Sequence, residues 1–425
     1  MSYSTPKAVQ QRALIGLAAI AFALAPTARA AEPPLSLAEA VRAAVAQSPQ
    51  LASQQSMIKA AREMTIPAGE LPDPKLIAGV DNVPTEGADR WSLTRDFMTM
   101  TRVGVMQEFP RAEKRALRVR RAEREAAKAE AQVASSAASV RREAAAAWLA
   151  RYYAEATERA IGEQVGEVDL AIETANAAYR AGRGSQGELL AVQAMAIELK
   201  NRQTEVAMQR ERARIALARY VGALADRPLG DAPDLARVPL DAATLADVDR
   251  QPDVRLAQAQ EDVAAAESDV ARAAKLPDWS AELSYGIRGS GFPNMVSLMV
   301  RVDLPWSPST RQDREYAAKL AEQDAARAMR DDVRRMRDAE VKQMQVEWQA
   351  ARAQAARMRD ALLPLAQQRI DAALAAYRGG TGPLAAVLDA RRAQLDARIA
   401  ILNMELAAAK AWAWLANVIV AEGQS

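Results

Sequence analysis

AAYRAGRGS at Ala177–Ser185 returns as AAYRGGTGP at Ala375–Pro383, so Tyr179 and Tyr377 stand 198 positions apart. Other landmarks recur in the same order. AQSPQL (Ala46–Leu51) pairs with DRQPDV (Asp249–Val254), GELPDP (Gly69–Pro74) with AKLPDW (Ala274–Trp279), and QEFP (Gln107–Pro110) with VDLP (Val302–Pro305). Two such matches arise by chance, but four collinear ones near a 200-residue separation indicate a duplicated unit. Each copy reads as helix, strand, strand, very long helix, glycine turn, helix. The first copy occupies residues 31–225 and the second 242–425, with the Pro/Gly/Asp-rich DRPLGDAPDLARVPLD at 226–241 as linker.

The long helices lie just before the repeated turn. Arg111 to Arg180 holds no proline and only the glycines Gly162 and Gly166, with apolar residues at three- and four-residue spacing. Its counterpart, Arg311 to Arg378, is interrupted once, by Pro364. Roughly 68 helical residues extend about 100 Å. That is several times the width of a globular domain, so these helices must pack lengthwise in a bundle or tube. Alanine-rich faces suit such close packing. Gly182 and Gly380 are expected to take left-handed backbone and fold each long helix back into a shorter one, Gly187–Val221 and Pro383–Val420.

Within each copy two short segments alternate with a period of two. Trp279–Ile287 puts Trp279, Ala281, Leu283, Tyr285 and Ile287 on one face, and Val296–Leu304 does the same with Val296, Leu298, Val300, Val302 and Leu304. Lys75–Val83 and Thr101–Phe109 alternate less cleanly, Val103, Val105 and Phe109 sharing a face. Strands of nine or so residues with one apolar face suit either a half-buried soluble hairpin or a barrel wall between lipid and water. Four strands cannot close a barrel, which needs about eight, and an open edge is not tolerated in lipid. If these strands span a membrane, several chains must share one barrel, and three chains would supply twelve strands.

Composition narrows the function classes. The N-terminus has the form of a secretory signal over residues 1–30: Lys7 and Arg12, the apolar run Ala13–Ala25, Pro26, then Ala28-Arg29-Ala30 for cleavage. No later segment approaches 18 uninterrupted apolar residues, so no transmembrane helix is expected after it. There are no cysteines and no histidines, which removes disulfides, thiolate metal sites and the commonest catalytic base. The precursor's formal charge of +2 falls to −1 once the three basic residues of the signal are removed. Basic and acidic residues are interleaved, as on solvated helix faces, and nucleic acid is not indicated. No nucleotide-binding glycine loop is present.

The tandem halves, the order of parts and the two tip motifs resemble the TolC family of outer-membrane efflux proteins, over nearly the whole chain from Leu35 to about Val420. LPDPKLIAGVDNVP (Leu71–Pro84) followed by MTMTRVGVMQEFP (Met98–Pro110) is most similar to the heavy-metal, CzcC/CusC-like branch, although Glu113 precedes Lys114-Arg115 where that branch usually has glycine. The resemblance implies a mainly α chain with a small β part. Three copies would form an α-helical tunnel across the periplasm and a shared 12-stranded barrel in outer-membrane lipid. It also implies docking onto a periplasmic membrane-fusion adaptor and an inner-membrane pump of the resistance-nodulation-division type, with no enzymatic activity and no cofactor or resident metal. Periplasmic aperture carboxylates fall on Glu188, where the family usually has aspartate, and on Asp389; the intervening acidic position is Ala386 and the tip arginine position is Gly382. Tyr179 and Tyr377 become latch or packing residues one turn before the tips. Gly182, Arg183, Gly380 and Thr381 become adaptor contacts.

Other conspicuous residues have plainer readings. Met98, Met100 and Met106, like Met295 and Met299, offer thioethers to soft metals, yet fifteen methionines are ordinary for this length and fill gaps well. They read as structural. Trp91, Trp279 and Trp306 flank the strands, as interfacial aromatics do. A periplasmic coiled-coil or adaptor protein would share the long helices but not duplicated strands and tips. An enzyme without His or Cys is left with a carboxylate pair, and no compact core is visible to hold one. A channel for drugs or for type I protein secretion remains open.

Overall fold

The computed structural model describes residues 33–182 and 184–419, so the expected signal segment and Arg183 lie outside the described residues. In the first half, α1 (Leu37–Ala46), α2 (Pro49–Glu63) and the short α3 (Thr65–Gly69) lead into β1 (Lys75–Asp81) and β2 (Met100–Phe109), followed by α4 (Ala112–Arg180) and α5 (Gln186–Val221). The second half repeats this order with α6 (Ala242–Ala246), α7 (Pro252–Ala273), β3 (Trp279–Arg288), β4 (Met295–Val302), α8 (Gln312–Arg357), α9 (Leu363–Arg378) and α10 (Leu384–Ala416). The chain is mainly α with one small sheet, as the periodicities require. Pro49 and Pro252, from the matched AQSPQL and DRQPDV segments, each open a helix in its first turn, where the missing N–H has no partner to lose.

Helix α4 runs 69 residues without a break, about 100 Å. It joins two cores. One, around Trp148, Leu149 and Leu217, gathers α1, α5 and the end of α10; the other, around Ile161, Val192 and Leu395, lies toward the turns. In the second half the helix expected to be interrupted at Pro364 is two. A π turn at Met358–Leu362 separates α8 from α9 just before Pro364. Pro364 has no N–H to donate and its ring crowds the preceding turn, and the wider π turn absorbs the misfit. Gly182 and Gly380 close the two hairpins at φ 69 and 72.

One helix bears on the expected lack of a transmembrane helix. Helix α10 is long and apolar enough to cross a membrane by length and composition, with mean hydropathy 1.2 over its most apolar window. Alanine produces that value, and the helix packs along α4 and α8, with Ala408, Ala409, Ala411 and Ala413 buried in the bundle.

The strands form one antiparallel sheet in the order β1-β2-β3-β4. β1 stops at Asp81 rather than Val83 because Asn82 turns to φ 56. β4 stops at Val302 rather than Leu304 because β3 begins opposite it at Trp279; Asp303 keeps one bond, its N–H to the Asp278 carbonyl at 2.9 Å, and Leu304 has no partner strand among the described residues.

Candidate membrane sheet and tunnel tips

Pairing across the ladders sorts the sheet into two faces. Leu76, Val105, Leu283 and Leu298 lie in one line across all four strands, and they are 77%, 49%, 58% and 73% exposed. Ala78, Val103, Tyr285 and Val296 form a parallel line, also exposed. A continuous bare apolar face of this extent is a contact surface for lipid or protein rather than a water-facing one. The sheet is open at β1 and at β4, which leaves two rows of backbone groups without a partner strand among the described residues.

The opposite face is polar. Glu282 is 3% exposed and held between two guanidiniums: Arg102 Nη1 lies 3.4 Å from Oε1 and Arg301 Nη2 3.2 Å from Oε2. Arg102 also reaches Asp81 at 3.1 Å. The two guanidiniums balance Glu282 and Asp81 in charge, which offsets part of the cost of desolvating the cluster. The methionines face this side too. The sulfurs of Met106 and Met299 each lie 3.4 Å from Arg301, and that of Met295 lies 3.8 Å from Arg288. Guanidinium groups already occupy the space beside these thioethers, which opposes a second cation there. Among the described residues no group of three or more carboxylates, histidines or cysteines is placed to hold a metal ion.

Where sheet meets helix, the rings of Phe109 and Trp279 stack at 4.3 Å. Directly beyond them, Lys114 Nζ donates to Asp278 Oδ2 at 2.8 Å and to the Leu276 carbonyl at 2.5 Å, while the Arg111 N–H donates to Asp278 Oδ1 at 3.1 Å. Burial by itself would raise the Asp278 carboxyl, but Lys114 and the Arg111 amide outweigh it and hold the group below the usual carboxylate range. This junction ties the start of α4 to the start of β3, across the two halves of the chain. Trp279 begins β3 and Trp306 follows β4 at the same end of the sheet, while Trp91 sits at the other end, between β1 and β2. Trp306 is 90% exposed.

The tips lie at the far end of the helices. Glu188 is engaged as a capping residue: its Oε2 accepts from the Ser185 N–H at 3.0 Å while Ser185 Oγ accepts from the Glu188 N–H at 3.2 Å. Asp389 is largely exposed, its nearest cation being Arg392 at 3.9 Å, and Arg392 itself pairs with Glu198 at 2.6 Å. Thr381 folds back, its amide and hydroxyl both donating to the Ala376 carbonyl at 2.9 and 3.1 Å. Tyr179 is half-exposed, and among the described residues neither its hydroxyl nor that of Tyr377 makes a hydrogen bond. Ion pairs Arg391–Glu167, Arg392–Glu198 and Arg398–Glu163 stitch α10 to the first hairpin.

Residues 248–419 match the family model described as outer membrane efflux protein. No curated protein matches the chain. Among solved structures, a membrane protein from Pseudomonas aeruginosa superposes with TM-score 0.77 at 17% identity, over 90% of this chain and 93% of that one. The outer membrane protein VceC from Vibrio cholerae gives TM-score 0.73 at 20% identity, over 89% and 94%. CusC, solved in connection with folding and transmembrane channel formation, gives 0.76 at 14%, over 90% and 92%. At these identities the likeness establishes the fold. The chain therefore has the fold of outer-membrane channels, and its second half carries the outer-membrane efflux signature in sequence as well.

The structure brings Tyr179, Gly182 and Glu188 to one tip and Tyr377, Gly380, Thr381 and Asp389 to the other. Arg183 lies outside the described residues. Sequence reading missed two arrangements. The LPD repeat held a clue to Asp278, since an aspartate recurs just before each sheet entry. The Glu282 cluster had no local signal, because Arg102, Glu282 and Arg301 lie on three strands and meet only through the ladder register.

Proposed function

We propose that the chain is one subunit of an outer-membrane efflux channel. Three copies pool four strands each into a twelve-stranded barrel, and their helices form a tunnel that crosses the periplasm. The bare apolar sheet face, flanked by two open edges, carries this reading. Four strands are too few to close, and lipid does not tolerate open edges, so the sheet needs further copies of itself. The helices support the same reading. Over its 46 residues α8 buries only Val341 and Ala355 within the chain, leaving Met329, Met336 and Val346 exposed for neighbours.

The channel is passive, and conduction is driven by an inner-membrane pump of the resistance-nodulation-division type that a periplasmic adaptor couples to the tips. Asp389, tripled by symmetry, forms a carboxylate ring at the periplasmic aperture, with Glu188 contributing while it caps α5. Tyr179, Gly182, Arg183, Tyr377, Gly380 and Thr381 form the adaptor-facing surface. Heavy-metal cations are the proposed cargo, on the resemblance of residues 71–110 to the metal branch, with drug-like molecules second.

Native mass spectrometry of the mature protein, purified from detergent-solubilised outer membranes, tests the assembly. A trimer supports the shared barrel, and a monomer absent from the membrane fraction defeats it. Deleting the gene in its source strain tests the cargo: sensitivity to copper, zinc, cobalt or cadmium salts is expected to rise, and a rise confined to organic drugs would overturn the metal assignment.

A further inference from the structure

The two halves are related by two constant shifts. The QEFP and VDLP segments set β2 against β4 with a shift of 195, and LPDP and LPDW set β1 against β3 with a shift of 205. The ladders obey both. The β1–β2 pair Lys75↔Met106 becomes Ser280↔Arg301, and Val80↔Thr101 becomes Tyr285↔Val296; each is an observed β3–β4 pair. The same holds for every other β1–β2 pair. The sheet therefore has an internal pseudo-repeat in hydrogen-bond register as well as in sequence.

One kind of junction occurs only once in the chain: β2 against β3, from the first half to the second. In a ring built from these units, its counterpart runs from β4 of one copy to β1 of the next. We infer that this seam has a single register, obtained by applying the same shifts to the β2–β3 ladder. Val105↔Leu283 becomes Val300 opposite Ala78 of the neighbouring copy. Gln107↔Ala281 becomes Val302 opposite Leu76, and Glu108↔Ser280 becomes Asp303 opposite Lys75.

The residues this register brings together are complementary, although complementarity was not used to derive it. Val300, Val302, Leu76 and Ala78 all belong to the bare apolar face, so the outer face stays continuous across the seam. On the inner face an acid meets a base. Lys75 already reaches Glu108 of its own chain at 2.5 Å and remains more than half exposed, so Asp303 approaches it from its open side. A slip by one residue would put polar and apolar faces in opposition, and a slip by two would separate Lys75 from Asp303. The register also extends β4 through Asp303 to Leu304, the end expected from sequence alternation, since β1 of the neighbour supplies the partner that the single chain lacks. Leu304 then meets Pro74, as Phe109 meets Trp279 within the chain.

This inference rests on the shared-barrel reading, and the absence of native cysteine gives it a clean test. The double variant Val300→Cys/Ala78→Cys is expressed in outer membranes, oxidised with copper phenanthroline or bridged with a short bis-methanethiosulfonate, and run on non-reducing gels. The intrachain pair Val105→Cys/Leu283→Cys is its geometric counterpart and serves as control. The expected result is covalent dimers and trimers from V300C/A78C at a yield near that of the control's internal bond. Covalent oligomers from V300C/L76C or V300C/V80C at tenfold higher yield than from V300C/A78C would overturn the register while leaving the ring intact. No interchain product from any pair, with the control fully oxidised, would defeat both the seam and the ring.

Discussion

Trp148 and Trp348 stand 200 positions apart and make the same bond: each indole donates to a leucine backbone carbonyl, that of Leu35 at 3.0 Å and that of Leu235 at 3.1 Å. The two leucines are also 200 positions apart. Each long helix thus clasps the chain segment that leads into its own half. The copies differ in surroundings. Trp148 is fully buried in the core shared by α1, α4 and α5, whereas Trp348, on α8, is half-buried against Leu240, Leu245 and the end of α10.

Replacing either indole with phenylalanine keeps most of the apolar volume and removes the donor. At Trp148 the Leu35 carbonyl keeps the Gly230 N–H at 3.0 Å but loses its second donor, and a fully packed core is left with a gap where the larger ring stood, so Trp148→Phe is expected to cost about 1–3 kcal/mol. At Trp348 water can reach the Leu235 carbonyl, and Trp348→Phe is expected to cost about 1 kcal/mol or less. Thermal unfolding of both purified variants in detergent, followed by circular dichroism at 222 nm, checks the order. Equal losses would mean that the first clasp is hydrated.

The Asp278 junction should give stability an acid limb. Its carboxyl is held below the ordinary value, so the folded state binds its proton less readily than the unfolded chain does. The stabilisation is complete above the unfolded value near 4 and is lost as pH falls through the lower folded value. Asp278→Asn removes the charge beside the buried Lys114 amine and is expected to cost about 2 kcal/mol at neutral pH. The gap between the two melting temperatures should be constant from pH 7 to about 5 and should close below about pH 4. A gap that persists unchanged at pH 3 would assign the loss to packing instead.

How much of this was legible in the sequence depends on the range of each signal. The strands, the long helices and the tip glycines announce themselves through local period and through repetition, and Gly182 and Gly380 have the left-handed backbone their position called for. The π turn before Pro364 was half-visible: proline marked the place but not the manner of accommodation. The Trp148 and Trp348 clasps were hidden because a lone tryptophan in an alanine-rich helix has no pattern around it. Their partners are backbone carbonyls, which carry no residue identity. Glu188 shows a different limit. Six residues after the tip glycine it reads as an aperture acid, and three residues after Ser185 it reads as a cap. Sequence spacing alone does not rank the two.

The glycines separate conformational cost from steric cost. At Gly182 and Gly380 an added methyl would meet nothing within 4 Å, so the penalty of Gly→Ala comes only from the left-handed backbone, about 1–2 kcal/mol each. Asparagine at either site should recover part of that. Gly104 is the opposite case. Its φ is ordinary for a strand, but a methyl there would sit 2.5 Å from Ser284 Cβ. Gly104→Ala is expected to lower the yield of assembled protein in outer membranes severalfold, while the tip variants assemble normally and lose only melting temperature. Fractionated membranes and heat-modifiable gel mobility distinguish the two outcomes.

The two tip carboxylates should part company in conductance. Asp389 is largely exposed, and Arg392, its ion-pair partner among the described residues, is shared with Glu198, so the Asp389 charge is free to act on passing ions. Glu188 already gives one oxygen to the Ser185 amide. In planar bilayers at low salt, Asp389→Asn is expected to reduce the ratio of cation to anion permeability severalfold, because the proposed aperture ring would lose its three charges. Glu188→Gln keeps an acceptor for the cap and should change selectivity less, with stability preserved. Glu188→Ala should also lose about 1 kcal/mol of helix stability. Raising the salt concentration should shrink the Asp389→Asn effect as the ring is screened, with a Debye length near 3 Å at 1 M. If Asp389→Asn leaves selectivity and current unchanged in a properly assembled trimer, the aperture does not lie at this ring. If Glu188→Gln has the larger effect, the constriction lies at the first hairpin's tip instead.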